Sequence, residues 1–471
     1  MQYISTRGQA PKIGFCDVLL AGLARDGGLY VPETWPKLGE SAGGAAVGSA
    51  KNSAVASYAQ KAASIMSPFV GAEIDQQVFE KLCTDAYSTF RHPEVAPLVE
   101  IGPNEYLLEL FHGPTLAFKD VALQLVGKLF DHVLTQRNER VMIVGATSGD
   151  TGGAAFDGVA SCRNVDIVML YPNNRVSDVQ RRQMTTLTAP NVHAVAVDGT
   201  FDDCQDFVKA MFNDQKFRDA NQLSAVSSIN WVRVMAQVVY YVTAIEKLGR
   251  TAVFSVPTGN FGNVLAGWIA KQMGAQIEGF VVASNTNDIL TRFFESKQMV
   301  ANVVVPTLSP SMDIQVSSNF ERLLFETNNR DGAETAKQLT DFRATGKLDV
   351  VASAYRKWFE GVFVGRRCND EQTLVTMQDV YKQSAILIDP HTAVGLSAAR
   401  QSAGVDYPKE MPMITLATAH PAKFPDAVRR ATGQTPMLPE HLADLMSRPE
   451  RSVSLPNDLG AVQAFVANCR G

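Results

Sequence analysis

The feature that most constrains the fold is an alternation that begins near residue 141. Short runs rich in β-branched residues, at 141–144, 166–170, 192–197, 252–256 and 279–283, are each followed by a stretch with helical apolar spacing. Strand and helix in strict alternation imply βαβ units, hence a parallel sheet with helices on both faces. The pattern returns late in the chain. Residues 385–388 and 413–417 read as strands around a helix at 392–403, and residues 320–363 read as a largely helical insertion. No internal repeat at a fixed period is present.

The region before this alternation has a different character. Residues 55–66 and 75–90 have helical periodicity, and a turn at Arg91, His92 and Pro93 closes a small, mostly helical N-terminal domain that we bound at residues 1–97. Residues 41–53, SAGGAAVGSAKNS, are too small to fill a core and read as a flexible surface insertion. Residues 98–430 then form the α/β region in two lobes, and 431–471 a C-terminal segment. A chain of 471 residues can bury several cores, so a small binding module is excluded.

Composition removes further classes. With 43 Lys and Arg against 48 Asp and Glu the net charge is −5, which gives no field for a phosphate backbone. Nucleic acid is not an expected partner. The first fourteen residues show no secretory leader, and the most apolar helical stretch, 231–245, is short and carries Arg233, so neither export nor membrane insertion is expected. The expected compartment is the cytoplasm. The six cysteines are scattered with no C-x-x-C, and the seven histidines include no H-E-x-x-H, so neither a disulfide framework nor a metal site is expected.

In open α/β sheets ligands bind beyond the carboxyl ends of the strands. Two loops there are rich in glycine: residues 145–153, GATSGDTGG, and residues 257–263, PTGNFGN. Glycines at a strand-to-helix turn let backbone N–H groups approach an anion, and the helix dipole adds positive charge, so each loop can hold one phosphate or carboxylate. Either can equally be a plain tight turn. Neither matches a dinucleotide fingerprint or a P-loop. Lys119, in FHGPTLAFKD at 111–120, follows Leu116, Ala117 and Phe118 near a helix start. Such neighbours disfavour the ammonium and free the amine to attack a carbonyl, as a Schiff-base lysine requires; the plain alternative is a solvated helix residue. A lysine of that kind with two anion loops is what an aldehyde cofactor with a phosphate tail and an acidic substrate need. After the last strand comes TAHPAKF at 418–424, where the Thr418 hydroxyl can hydrogen-bond a pyridine nitrogen without forcing its protonation, and His420 reads equally as a turn residue. In DPHTAVG at 389–395, Thr392 is a candidate helix cap.

These motifs together, FHGPTLAFKD, SGDTGGAA, PTGNFGNVLAG and TAHPAKF, resemble the threonine synthase family, pyridoxal-phosphate enzymes of fold type II, related to the tryptophan synthase β-subunit fold. The likeness extends through YISTRG, DVLLAGLARDGGLYVPE, YPNNRVSDVQRRQM, SSINWVRVMAQ, SPSMDIQVSSNFERLLFE and DPHTAVG, in the order of the longer microbial and fungal form. The resemblance implies that Lys119 is the catalytic lysine bonded to pyridoxal 5'-phosphate. It implies that Gly259, Asn260, Phe261, Gly262 and Asn263 cradle the cofactor phosphate, and that Thr418 meets the ring nitrogen. Substrate would be held by Ser148, Asp150 and Thr151, with no metal. Two positions depart from the family pattern: Asn263 stands where Asp is common, and Asn173 where a basic residue is common. Arg175 or Arg233 is then a candidate for the substrate phosphate, each reading equally as an ordinary salt-bridge residue.

The activity implied is that of a carbon–oxygen lyase acting on a phosphate ester. It converts O-phospho-L-homoserine and water to L-threonine and phosphate, by γ-elimination and β-addition, as the last step of threonine biosynthesis, in a monomer or homodimer. A related phospho-lyase that releases a 2-oxo acid and ammonia is the nearest alternative. A non-catalytic nucleotide-binding α/β protein is a more distant one.

Overall fold

The computed structural model describes residues 1–39, 56–174 and 176–469, so the small-residue stretch at 41–53 and Arg175 lie outside it. Near the N-terminus β1 (Tyr3–Ser5) pairs antiparallel with β2 (Tyr30–Pro32). The helices Tyr58–Val70 and Gln76–Tyr87 follow, the first opened by a reciprocal Ser57 and Gln60 capping box and the second by Asp75. Along the rest of the chain come β3 (Leu98–Gly102), β4 (Glu105–Glu109), β5 (Val141–Ala146), β6 (Val165–Pro172), β7 (Val192–Val197), β8 (Leu223–Ser224), β9 (Ala252–Pro257) and β10 (Ile277–Ser284). The short pair β11 (Gln298–Val300) and β12 (Lys347–Asp349), then β13 (Phe363–Arg367), β14 (Met413–Ala417) and β15 (Val453–Leu455), complete the described strands.

These strands form two main sheets, in the orders β13-β10-β9-β14-β4-β3 and β15-β7-β6-β5-β8. Every pairing in them is parallel except that of β3 with β4. All residues of β6 and β9 are buried, as strands covered on both faces must be. The architecture is α/β with parallel sheets, as the alternation implied. In the larger sheet β9, β14 and β4 are neighbours, so the loops after their carboxyl ends open side by side. Those three loops begin at residues 258, 418 and 110.

The apolar interior does not stop at residue 97. Tyr3 and Phe69 pack on Trp231, with ring centroids 5.9 and 5.7 Å apart, so the first helices rest on the helix Trp231–Leu248. Nor does it stop at 431. Val462 and Val466, on the helix Leu459–Asn468, are fully buried against Val195, Cys204 and Met211 of the smaller sheet and its cover. No helix among the described residues is long and apolar enough to cross a membrane.

One expected strand is absent. Residues 385–388 are a connector: Ala385 closes the helix Asp370–Ser384 in the left-handed conformation, with its amide on the Tyr381 carbonyl. Asp389 then caps the helix Pro390–Ser402, with its carboxylate on the amides of His391 and Thr392. Four residues joining two packed helices have no neighbouring strand to pair with, and their β-branched content has no say against that. Asp389 is thus the cap, and Thr392 sits in the first turn.

Candidate active site

The loop after β4 and the loop after β14 are tied together by backbone. Ala117 and Ala419 form an antiparallel bridge, the Phe118 amide donates to the Thr418 carbonyl at 2.8 Å, and the His420 amide donates to the Leu116 carbonyl at 3.0 Å. Leu116 takes a left-handed φ of +64°, which turns the chain sharply into the helix Lys119–Arg137. Lys119 is its first residue, with Thr418 alongside. A non-glycine residue held there costs on the order of 1 kcal/mol or more, and the backbone bridge is what holds it.

Lys119 is buried, with its Nζ 3.1 Å from Asp150 Oδ2. Asp150 opens the helix Asp150–Val159 after β5, so this contact joins the two sheets. Its other oxygen, Oδ1, lies 2.9 Å from Lys423 Nζ and accepts from Gln180 Nε2 at 2.8 Å. Lys423 is completely buried and also donates to the Thr115 carbonyl (2.8 Å) and Gln183 Oε1 (2.9 Å). Its ammonium thus has three polar partners, whereas Lys119 Nζ has one. Burial lowers the pKa of Lys119; Asp150 opposes that, and the positive charges of Lys423 and Arg233 reinforce it. Burial alone would raise the Asp150 carboxyl, but Lys119 and Lys423 outweigh it and hold the group well below the usual carboxylate range.

The side chain of Asp150 is thus spent on cations. An acidic substrate can be held from this residue only through its amide, which has no acceptor among the described residues. The amides of Ser148 and Thr151 are equally open, and the Ser148 and Thr151 hydroxyls make no hydrogen bond there. Thr147 shapes this loop: its Oγ1 accepts from the Gly149 and Gly152 amides, both at 3.0 Å.

The loop after β9 is more open still. Among the described residues, none of the six amides from Gly259 to Val264 finds an acceptor. Phe261, at φ +62°, turns this run onto the start of the helix Gly262–Met273. Six free donors on a helix N-terminus form an anion cradle. The back of the cradle is braced: the Asn319 amide donates to the Asn260 carbonyl at 3.0 Å and Ser317 Oγ to the Gly259 carbonyl at 2.8 Å. A Cβ on Gly259 would lie 2.7 Å from the Ser311 carbonyl oxygen, whereas one on Gly262 would meet only Asn319 Nδ2 at 3.2 Å. Asn263 turns its side chain away, with Oδ1 accepting from Tyr240 (2.5 Å) and Tyr241 (2.9 Å). Its contribution to the cradle is its amide.

Thr418 is buried, and its hydroxyl makes no hydrogen bond among the described residues. His420 is a turn residue: its Nδ1 accepts from the Ala422 amide at 3.1 Å, and burial pulls its pKa down to about 4, so the ring is neutral. Two neighbours of the site were not singled out from sequence. Lys423 lies within a quoted motif, but nothing in the chain tells a buried lysine from a surface one. His391 has Nδ1 2.7 Å from Asp389 Oδ2, and its Nε2 accepts from the Ser311 amide at 3.3 Å, bracing the segment behind the cradle.

An open phosphate cradle, a nearly unpartnered buried lysine and a free hydroxyl at adjacent strand ends fit an aldehyde cofactor with a phosphate tail. Comparison with known proteins points the same way. The pyridoxal-phosphate dependent enzyme family matches residues 94–348, the threonine synthase N terminus family residues 2–87, and the threonine synthase C-terminal family residues 392–466. The chain is 52% identical to the threonine synthase of Pseudomonas aeruginosa, over 99% of this chain and 98% of that protein. It is 40% identical to that of Schizosaccharomyces pombe, over 92% and 89%. The pyridoxal-phosphate-bound threonine synthase structure from Brucella melitensis superimposes with a TM-score of 0.93 at 49% identity, covering all of both chains. The Escherichia coli threonine synthase structure superimposes with a TM-score of 0.81 at 30% identity, covering 99% of this chain and all of that one.

Proposed function

The chain belongs to the threonine synthase family, pyridoxal-phosphate enzymes of fold type II, and we propose that it converts O-phospho-L-homoserine and water to L-threonine and inorganic phosphate. The observation that carries this reading is the convergence of Lys119, the free Thr418 hydroxyl and the six open amides of residues 259–264 at the ends of three adjacent strands. We place the enzyme in the cytoplasm, acting as a monomer or homodimer on a small molecule, with no nucleic-acid or membrane partner.

When bound, pyridoxal phosphate supplies an aldehyde that condenses with an amine and a ring that accepts the electron pair of a carbanion. In this reading the amides of Gly259, Asn260, Phe261, Gly262 and Asn263 would hold its phosphate. The Thr418 hydroxyl would donate to its ring nitrogen, a neutral partner that places no charge there. Lys119 would be the amine that holds it before substrate binds. The released Nζ, its pKa lowered by burial and by the charge of Lys423, would then be the base at the substrate α-carbon. Ser148 and Thr151, through hydroxyls and open amides, hold the substrate carboxylate with the Asp150 amide.

The chemistry balances without any further reagent. The C–O bond at the γ-carbon breaks and its electrons leave with phosphate. Protons lost from the α- and β-carbons are replaced at the α- and γ-carbons. Water gives its oxygen and one hydrogen to the β-carbon, and its other proton to the departing phosphate. Asp150 is placed to receive Lys119 whenever that side chain carries the proton, since the two lie 3.1 Å apart. The test is incubation of the holoenzyme with phosphohomoserine. Threonine and phosphate should appear in equal amounts, and 2-oxobutanoate with ammonia in place of threonine would overturn the reading in favour of the related phospho-lyase.

A further inference from the structure

Four lysine and arginine side chains among the described residues are buried: Lys119, Arg233, Arg322 and Lys423. Three of them are provided for. Lys119 and Lys423 share Asp150. Arg322 spreads its guanidinium over the Tyr30 carbonyl (2.9 Å), the Ile229 carbonyl (2.7 Å) and the Asn319 side chain. Arg233 is not provided for. Of its five N–H groups, only those on Nη1 meet an acceptor, the Val226 carbonyl at 3.2 Å, and its Nε is buried without a partner. It makes no salt bridge with any described carboxylate. Burial draws its pKa down to about 10, which leaves it charged at neutral pH. An uncompensated buried charge costs several kcal/mol, so a guanidinium kept in such a place calls for an anion.

Its position says where that anion lies. Arg233 is in the first turn of the helix Trp231–Leu248, which follows β8. Because β8 pairs in parallel with β5, this helix starts at the same sheet end as the loop carrying Thr147 and Asp150. The helix packs on Lys119–Arg137 on one side and Gly262–Met273 on the other. Two turns beyond Arg233, Tyr240 donates to Asn263 at the foot of the cradle, where Asn263 Nδ2 is a second buried donor with no partner. The charge of Arg233 also reaches the Lys119 ammonium. Arg233 therefore lies at the sheet end that carries the site, near enough for its charge to act on Lys119, with its Nε donor unused.

We propose that Arg233 is a phosphate ligand of this site, its planar fork supplying the charge that the backbone amides lack. The proposal rests on the function argued above, under which two phosphate monoesters enter the site, one on the cofactor and one on the substrate. The experiment separates them without relying on turnover. Arg233→Met and Arg233→Lys are purified and checked for folding by circular dichroism. Pyridoxal phosphate is titrated into the apo-proteins, and inorganic phosphate into the holoenzymes by calorimetry.

At least tenfold weaker affinity for one of the two in Arg233→Met, partly restored in Arg233→Lys, is expected. Loss confined to pyridoxal phosphate assigns Arg233 to the cofactor, and loss confined to inorganic phosphate assigns it to the substrate. Unchanged affinity for both in a folded Arg233→Met protein overturns the proposal, as does weakening that Lys fails to restore at all. Failure of the wild-type protein to form threonine overturns the activity alone, because both titrations read binding. Should Arg233→Met not fold, Arg233→Lys decides, since a lysine that keeps full affinity with no change in its salt dependence is incompatible with a forked phosphate contact.

Discussion

Lys423 shows how much one residue decides. It shares Asp150 with Lys119, and the two ammonium groups compete for one carboxylate. Replacing it by Met removes a positive charge that disfavours protonation of Lys119 and leaves Asp150 to that lysine alone. The groups that face Lys119 are then Asp150 and Arg233, and both consequences raise its pKa. In Lys423→Met the acid limb of the pH profile of kcat, which reports the lysine released in the substrate complex, should move to higher pH, with a loss on the order of tenfold at neutral pH. Lys423→Arg should restore most of it, and an unmoved acid limb would show that the second cation does not act on Lys119. The cradle gives a test of a different kind. Gly259→Ala places a methyl 2.7 Å from the Ser311 carbonyl, so the loop must move, at a cost of about 1–3 kcal/mol. Titration of the apo-protein should show pyridoxal phosphate binding weakened by roughly ten- to a hundredfold. Gly262→Ala should have the milder effect, because only the Asn319 side chain stands in the way. Residue types and loop positions were legible in the chain, since Lys119, Thr418 and the two glycine-rich loops all follow from local context. What each side chain faces was not, because Asp150 meets Lys423 across 273 residues of sequence and Arg233 is defined by a partner it lacks.

Elements, in turn, set the distance between Lys119 and Asp150. The helices that begin with these residues, Lys119–Arg137 and Asp150–Val159, cross where Gly127 faces Gly158. A Cβ on Gly127 would fall 1.8 Å from the Gly158 carbonyl oxygen, and one on Gly158 would fall 2.5 Å from the Leu123 carbonyl oxygen. Backbone meets backbone at this crossing, and only glycine permits it. Gly127→Ala must push the helices apart, and the carboxylate with them. It should lower the thermal midpoint, with a cost of at least about 1–3 kcal/mol, and reduce kcat/KM in the folded fraction beyond what lost stability explains. A variant with a lower midpoint and untouched kinetics would show that the crossing sets stability alone. The strands of this lobe were readable because β-branched runs alternate with helical periodicity, and 192–197 and 413–417 match their observed ends. The hairpin β3 and β4 escaped notice because its charged residues, such as the exposed Glu100 and the half-buried Glu105, interrupt any apolar run. The false strand at 385–388 shows the converse, with apolar residues spent on a connector between packed helices.

Across the whole molecule, the end of the chain reaches back to the site. Gln180 and Gln183, which contact Asp150 and Lys423, lie on the helix Asp178–Thr185. That helix is held from outside by Glu450, which accepts from Arg181 Nη1 at 2.7 Å and Thr185 Oγ1 at 2.7 Å, while Arg451 Nη2 donates to the Val192 carbonyl at 2.8 Å. Three residues on, β15 adds an edge strand beside β7, and the final helix buries Val462 and Val466. The C-terminal segment therefore has two separable tasks, covering the smaller sheet and clamping the helix behind Asp150, and each has its own variant. Val462→Ala removes buried apolar contact far from the site and should cost about 1–3 kcal/mol of stability, leaving kcat/KM near that of the parent. Glu450→Ala removes a partly exposed clamp worth about 1 kcal/mol or less, so its effect on the thermal midpoint should be small. It frees the helix that orients both glutamines, however, and kcat/KM should fall severalfold, with the acid limb of the pH profile displaced as Asp150 loses its fixed position between the two lysines. Thermal scans paired with pH profiles of the two variants decide the matter. If Glu450→Ala changes the midpoint alone, as Val462→Ala is expected to do, the tail supports the sheet and has no hold on the site.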